Sequence, residues 1–250
     1  MIKAFIPNFF TLCNLLSGCI AAILAVQNHL VFAAIFVGIG IFFDFFDGFF
    51  ARMLGVAGEL GTQLDSMADL VTSGLVPGIV MVQLMAQALG GSAEAFVYSW
   101  EERPSFYFGL PLLALIGLLI PLASAYRLAK FNLDTRQTTS FIGLPTPANT
   151  ILILSLPLIQ AYQHLPRISF YLFNPWFLIG LTIFCSIMLN VELRMFSLKF
   201  KGWGFKENWF RYVFLLFAVI LIASLQFLAL PLIIFSYMLF SAILDFANVE

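Results

Sequence analysis

Charge is the scarce ingredient of this sequence. Of 250 residues, 12 are Lys or Arg and 13 are Asp or Glu, together 10%, for a net charge of −1. Soluble globular domains carry about 25% charged residues. A soluble enzyme of this length has no interior large enough for the 62% of residues that are apolar. With acids and bases balanced and no dominant basic block, nucleic-acid binding is excluded as well. Cysteine is nearly missing. Cys13, Cys19 and Cys185 lie in apolar runs with no metal-ligand or disulfide spacing, and read as small buried hydrophobes. The two histidines, His29 and His164, fall near predicted loops as interfacial residues. No internal repeat, low-complexity tract or soluble domain is visible.

Lipid is the solvent that fits a mean hydropathy of +1.00. The start, with Lys3 and Leu16-Ser17-Gly18-Cys19, superficially matches a lipoprotein signal. A single Lys, and Pro7, Asn8 and Asn14 inside the apolar stretch, favour a retained first span. A spanning helix needs about 20 mostly apolar residues. Eight segments meet that need, at about 9–27, 31–53, 63–88, 107–130, 147–163, 169–191, 209–227 and 229–247. The expected architecture is therefore an all-α, polytopic helical membrane bundle of about eight spans, one domain over residues 1–250. More polar connections lie at 89–105, 131–146 and 192–208.

Basic residues orient the chain. With the N-terminus in the cytoplasm, Lys3, Arg52, Arg127, Lys130, Arg136, Arg194, Lys199, Lys201, Lys206 and Arg211 fall on that side, against Arg103 and Arg167 opposite. Six crossings between Lys3 and the 192–211 region satisfy this bias. The run from Lys199 to Arg211 reads as an anchor to anionic lipid. Trp176, Trp203, Trp209 and Tyr212 flank spans as interfacial aromatics do. Asp245, in the last span, has no role that the sequence supplies.

Four carboxylates in so apolar a chain demand a reason. Asp44 and Asp47 lie in the second span, Asp65 and Asp69 in the third. One charge at the centre of a membrane helix costs on the order of 2.5–3.5 kcal/mol on insertion scales. Asp44, Asp47, Gly48 and Ala51 share one helix face with Arg52 just beside it, and Asp65 and Asp69 stack four apart. Gly55, Gly58 and Gly61 mark a tight link that makes the two helices antiparallel neighbours. An all-oxygen cluster suits Mg²⁺ or Mn²⁺, and two such ions about 3.5–4 Å apart clamp phosphoryl groups. Small residues at 48, 51 and 61 let a bulky group or another helix approach closely, and Arg52 offers a fork suited to phosphate.

Written out, the segment is Asp44-x2-Asp47-Gly48-x2-Ala51-Arg52-x8-Gly61-x3-Asp65-x3-Asp69. It resembles the signature of the CDP-alcohol phosphotransferases at every fixed position. Further segments are similar to the phosphatidylserine synthase branch: Pro7-Asn8-x2-Thr11-x2-Asn14-x3-Gly18, Ser124-Ala125-x-Arg127-Leu128-Ala129-Lys130-Phe131-Asn132 and Gly143-Leu144-Pro145-x-Pro147. The likeness runs from about residue 5 to 200. One departure is Lys130, where the branch pattern has Arg.

The resemblance implies transfer of the phosphatidyl group of CDP-diacylglycerol to L-serine, giving phosphatidylserine and CMP. It implies two divalent ions on Asp44, Asp47, Asp65 and Asp69, with Asp69 also the base for the acceptor hydroxyl. Gly48, Ala51, Arg52 and Gly61, with Thr11 and Asn14, would hold the CDP-lipid. Arg127 and Lys130, three apart on one face, would hold the acceptor carboxylate, or else merely follow the positive-inside rule. A homodimer in a bacterial cytoplasmic membrane, its site facing the cytoplasm, completes the expectation. Alternatives are another acceptor (glycerol 3-phosphate or an inositol phosphate), an intramembrane prenyltransferase, and a cation transporter. The prenyltransferase reading lacks an Asn-Asp opening at Phe43-Asp44, and the transporter lacks a repeat.

Overall fold

The structure is a computed structural model that describes residues 2–90, 111–134, 141–163, 165–196 and 205–246. Arg103, Arg136, His164, Lys199, Lys201 and Trp203 lie outside the described residues. Helices occupy all eight expected segments: α1 (Ile2–Val26), α2 (Leu30–Met53), α3 (Glu59–Asp69) continuing into α4 (Val76–Ala88), α5 (Leu119–Leu133), α6 (Thr146–Tyr162), α7 (Pro166–Leu172) with α8 (Pro175–Asn190), α9 (Phe205–Leu225) and α10 (Ala229–Phe246). The only strands among the described residues are β1 (Phe141–Ile142) and β2 (Arg194–Met195), which pair antiparallel.

Eight membrane spans were expected; length and composition support five, or six. Phe5–Val26, Leu30–Met53, Glu59–Ala88, Leu112–Leu133 and Asn208–Asp245 are long and apolar enough to cross, and α7 with α8, bent by 60°, would make a sixth. The differences have local causes. At 17 residues, α6 is short, and it is buried around most of its circumference from Thr146 to Ile159, as an interior helix is. The 38-residue stretch Asn208–Asp245 folds back on itself: Phe214 meets Tyr237 and Phe240 at centroid distances of 6.1 and 6.2 Å. The reversal lies at Gln226–Leu228, with Gln226 at φ 51°. Gln163 fastens it, donating from Nε2 to the Leu225 carbonyl (2.8 Å) and accepting at Oε1 from the Leu228 amide (2.9 Å).

Many large apolar side chains face outward, among them Phe5, Leu16, Phe32, Leu122, Trp176 and Leu216. In water such a surface would aggregate; in lipid it is the solvated face. Cys185 is buried as expected, but Cys19 turns outward, a correction that costs nothing in hydrocarbon. The interior apolar cluster extends from Ala21 on α1 to Met238 on α10.

Between α3 and α4 the chain makes one π-helical stretch, Leu70–Leu75, where the Val76 amide bonds to the Val71 carbonyl. Pro77 explains part of this. It has no N–H for the carbonyl four residues back, Ser73, and Thr150 of α6 donates to that carbonyl instead, at 2.8 Å. The π stretch therefore docks on α6 through a bond that the proline made available. Against α5 it runs antiparallel: Ser66 and Asn132 are hydrogen-bonded at 2.9 Å, Gly74 lies against Ser124, and Gly78 against Pro121.

Three elements converge on Thr72 of the π stretch. Its hydroxyl donates to the Asn14 carbonyl at 3.2 Å. Gly18 of α1 and Gly40 of α2 both abut it; a Cβ at Gly40 would stand 2.7 Å from Thr72 Cγ2 and 2.9 Å from Asn14 Oδ1. Glycine is required here for close approach. Gly40→Ala is expected to cost about 1–3 kcal/mol, as overpacking does, and to lower the thermal midpoint in detergent. Gly38→Ala, where nothing lies within 4 Å of the added carbon, is the control and should hold the midpoint or raise it, as alanine does in a helix interior.

Candidate active site

The close approach of α1, α2 and α3 brings the acidic residues together. Carboxylate oxygens of Asp44, Asp47 and Asp65 lie within 4.8 Å of one another. Asp47 is buried; Asp44 and Asp65 are half-buried. One face of α1, spaced three and four apart, supplies donors to this group and its neighbour. Thr11 Oγ1 donates to Asp47 Oδ2 at 2.6 Å, and Asn14 Nδ2 donates to Asp69 Oδ1 at 3.4 Å. Asp69 itself stands beside the triple group rather than in it. It interacts electrostatically with Asp65 and with Arg127.

Three carboxylates so close inside an apolar bundle repel one another, and cations relieve that. The donor set is all oxygen, from two helices, and Asp65 Oδ1 is buried with no hydrogen-bond partner. That chemistry fits a hard divalent cation such as Mg²⁺ or Mn²⁺.

Beside the acids opens a cavity of about 130 Å³. Thr11, Asp47, Gly48, Ala51, Gly61 and Asp65 line it, with Asn8, which the sequence segment named without a role, and Thr62, which sequence reasoning did not single out. A Cβ added at Gly48 would come no nearer than 3.6 Å to Arg52 Nη1, and one at Gly61 no nearer than 3.6 Å to Asn8 Oδ1. The small residues therefore keep space open here, whereas at Gly18 and Gly40 they let helices touch. Arg52 is exposed, its guanidinium held over the Gly48 face and its charge attracted to Asp47.

The two expected acceptor cations part company. Arg127 is buried and faces Asp69, and its Nε and Nη2 have no hydrogen-bond partner. Lys130 forms an ion pair with Glu192 at 3.1 Å. Both line a narrow cleft with Phe131, Ile142, Leu189 and Asn190. Four further groups are buried without partners: the hydroxyls of Ser73 and Ser124, the Asn149 amide and Asn190 Oδ1; sequence reasoning quoted Ser124 within a branch-like segment but gave it no role, and missed the other three. Polar residues inside predicted spans were the available signal. Which of them converge depends on the packing of α5, α6 and α8.

The family model described as CDP-alcohol phosphatidyltransferase matches residues 4–188. The chain belongs to that family. As a CDP-alcohol phosphatidyltransferase it is a membrane transferase of phospholipid biosynthesis, and the prenyltransferase and transporter readings fall away. It is similar to a CDP-diacylglycerol–serine O-phosphatidyltransferase of Bacillus subtilis, 29% identical over 144 residues (57% of this chain, 70% of the relative). One from Helicobacter pylori strain J99 is 25% identical over 203 residues (80% and 75%). An archaetidylserine synthase of Methanothermobacter thermautotrophicus is 28% identical over 163 residues (64% and 60%).

The Thr11 hydroxyl orients Asp47, and groups that orient a ligand carboxylate typically govern metal affinity by 10–100-fold. Thr11→Val, which keeps the shape and removes the donor, is expected to weaken Mn²⁺ binding by about tenfold or more. Titration of Mn²⁺ into the purified protein, followed by electron paramagnetic resonance of the free ion, checks this without any turnover.

Proposed function

We propose that this chain transfers the phosphatidyl group of CDP-diacylglycerol to the hydroxyl of L-serine, releasing CMP. The observation that carries the reading is the grouping of Asp44, Asp47 and Asp65 beside an open polar cavity, with Asp69 next to them and facing Arg127, whose Nε and Nη2 have no hydrogen-bond partner. The three similar proteins from Bacillus, Helicobacter and Methanothermobacter act, by their names, in making serine lipids.

In this reading Asp44, Asp47, Asp65 and Asp69 hold two divalent ions. Those ions would neutralise the diphosphate and stabilise charge on the departing CMP. Gly48, Ala51 and Gly61 leave room for the CDP-lipid head, and Arg52 offers it a bidentate fork. Thr11 and Asn14 fix the carboxylates that face it. Asp69 takes the proton of the serine hydroxyl as that oxygen bonds to the phosphatidyl phosphorus and the bond from phosphorus to CMP breaks. Arg127 receives the serine carboxylate.

Charge distinguishes the candidate acceptors. Glycerol 3-phosphate or an inositol phosphate would bring a dianion. Lys130 is engaged by Glu192, which leaves Arg127 as the buried cation with open donors in the cleft, a match for one carboxylate. The whole chain acts as one membrane-embedded domain of eight crossings, with the N-terminus and the site on the cytoplasmic side of a bacterial membrane and two copies per enzyme. The fold-back of α9 on α10 supports the last two crossings, and the distribution of basic residues supports the orientation.

Purified enzyme given CDP-diacylglycerol, Mn²⁺ and one alcohol at a time should release CMP with serine. Release only with another alcohol would overturn the acceptor, and no release by folded protein would overturn the reading. Asp69→Asn is expected to lower kcat by about 10²–10⁴-fold, the usual worth of a general base. Arg127→Ala should raise the KM for serine by at least about 30-fold, a buried charge pair being worth 2 kcal/mol or more, while the KM for CDP-diacylglycerol changes little. Equal effects on both constants would sink the carboxylate role.

A further inference from the structure

Asn190 ends α8 inside the cleft that Arg127 also lines. Its amide orientation is fixed by its bonds: Nδ2 donates to the Ala123 carbonyl at 3.0 Å and to the Ser186 carbonyl at 3.4 Å. Ala123 lies one turn before Arg127 on α5, so the amide is held against the face from which the guanidinium projects. Asn190 Oδ1 is buried and has no partner. The cleft thus presents two unsatisfied groups of opposite character, the donors Nε and Nη2 of Arg127 and the acceptor Oδ1 of Asn190. Each left empty is costly, and each is satisfied by a different end of a zwitterion.

We propose that Asn190 is a specificity residue that accepts a hydrogen bond from the α-ammonium of an amino-acid acceptor while Arg127 binds its carboxylate. The proposal rests on the serine-transfer reading. Asn190 takes part in recognition and not in proton transfer. A phosphate group offers only acceptor oxygens and leaves Oδ1 unmet.

The 141–143 and 192–196 segments form a roof beside the cleft, which Ile142 lines. Ile142 pairs with Arg194, the Gly143 amide donates to the Leu193 carbonyl at 2.9 Å, and Lys130 holds Glu192. The last helix braces this roof with Tyr237, Ser241 and Asp245, spaced four apart on one face. Tyr237 donates to the Phe196 carbonyl at 2.9 Å; the Phe196 and Arg194 amides donate to Ser241 and Asp245, both at 3.4 Å. Asn190 therefore sits at a rigid junction, as a group that discriminates between ligands should.

The test uses full-length enzyme in detergent and two ligands. The KM for L-serine is compared with the inhibition constant of 3-hydroxypropionate, which has the carboxylate and hydroxyl but no ammonium. The ratio of inhibition constant to KM measures what the ammonium contributes. In Asn190→Leu that ratio is expected to fall at least tenfold; in Asn190→Asp, whose added charge attracts the ammonium and repels the carboxylate, it should rise at least tenfold. A structural role would weaken both ligands alike, and an unchanged ratio in either folded variant overturns the proposal. If the leucine variant does not fold, the aspartate variant decides. Wild-type enzyme that ignores serine but uses another alcohol refutes the serine-transfer reading itself, an outcome visible before any variant is made.

Discussion

Three carboxylates held within 4.8 Å of one another inside an apolar bundle are the constraint around which this protein is built. Each is expensive in hydrocarbon, and their mutual repulsion adds to the cost. The bundle offsets this locally with donors from α1, Thr11 to Asp47 and Asn14 to Asp69, and with the charge of Arg127 facing Asp69. These donors cannot satisfy all the carboxylate oxygens, and Asp65 Oδ1 is left bare. A site arranged this way is stabilised by the cations and the diphosphate it is proposed to bind.

Bringing the acids together requires backbones to approach closely, and α1 acts as the template. Thr11, Asn14 and Gly18 recur at helical spacing along one face. The first two supply side-chain donors to the acids, and the third lets Thr72 of the π stretch close in on α1. Gly40 does the same from α2. The π stretch is the other half of the device. It begins at the residue after Asp69, and the carbonyl that Pro77 leaves free ties it to Thr150 on α6. Asp65 and Asp69 both precede it in regular α3, so their four-residue spacing sets their common face, and the π stretch fixes how the rest of that helix leaves the site. π-Helical turns are found at such functional positions more often than elsewhere.

The sequence made the acids legible because their roles depend on helical spacing within two adjacent elements. Asp44 and Asp47 are three apart, Asp65 and Asp69 four apart, and the glycine-rich link makes the helices neighbours. The helix positions were equally legible from hydropathy. The number of crossings was not, since length and composition leave the 17-residue α6 undecided, whereas the division of Asn208–Asp245 into two helices was read from hydropathy and the structure folds it back there. Lys130 looked equivalent to Arg127 because both lie on one face of α5. Only packing of the 191–196 segment against that helix reveals that Glu192 engages one and leaves the other bare. Asn190 and Asp245 were opaque for the same reason: each bonds to a backbone group more than 50 residues away.

The family match ends at residue 188, two residues before Asn190 and well before the last two helices. The residues proposed to handle the diphosphate all lie in the matched portion, on α1 to α3. The C-terminal portion packs beside the proposed acceptor cleft: β2 pairs with β1, and α10 holds the 194–196 segment through Tyr237, Ser241 and Asp245. Asp245 looked like an unexplained intramembrane acid, but its carboxylate accepts the backbone amide of Arg194 at the start of that segment. Side chains on one helix face bonded to a single extended segment limit how far that segment can shift. The division has a physical logic. Reaction at a metal-bound diphosphate needs fixed carboxylates and is common to every acceptor, whereas discrimination among small alcohols needs a cleft whose walls can differ without moving the acids.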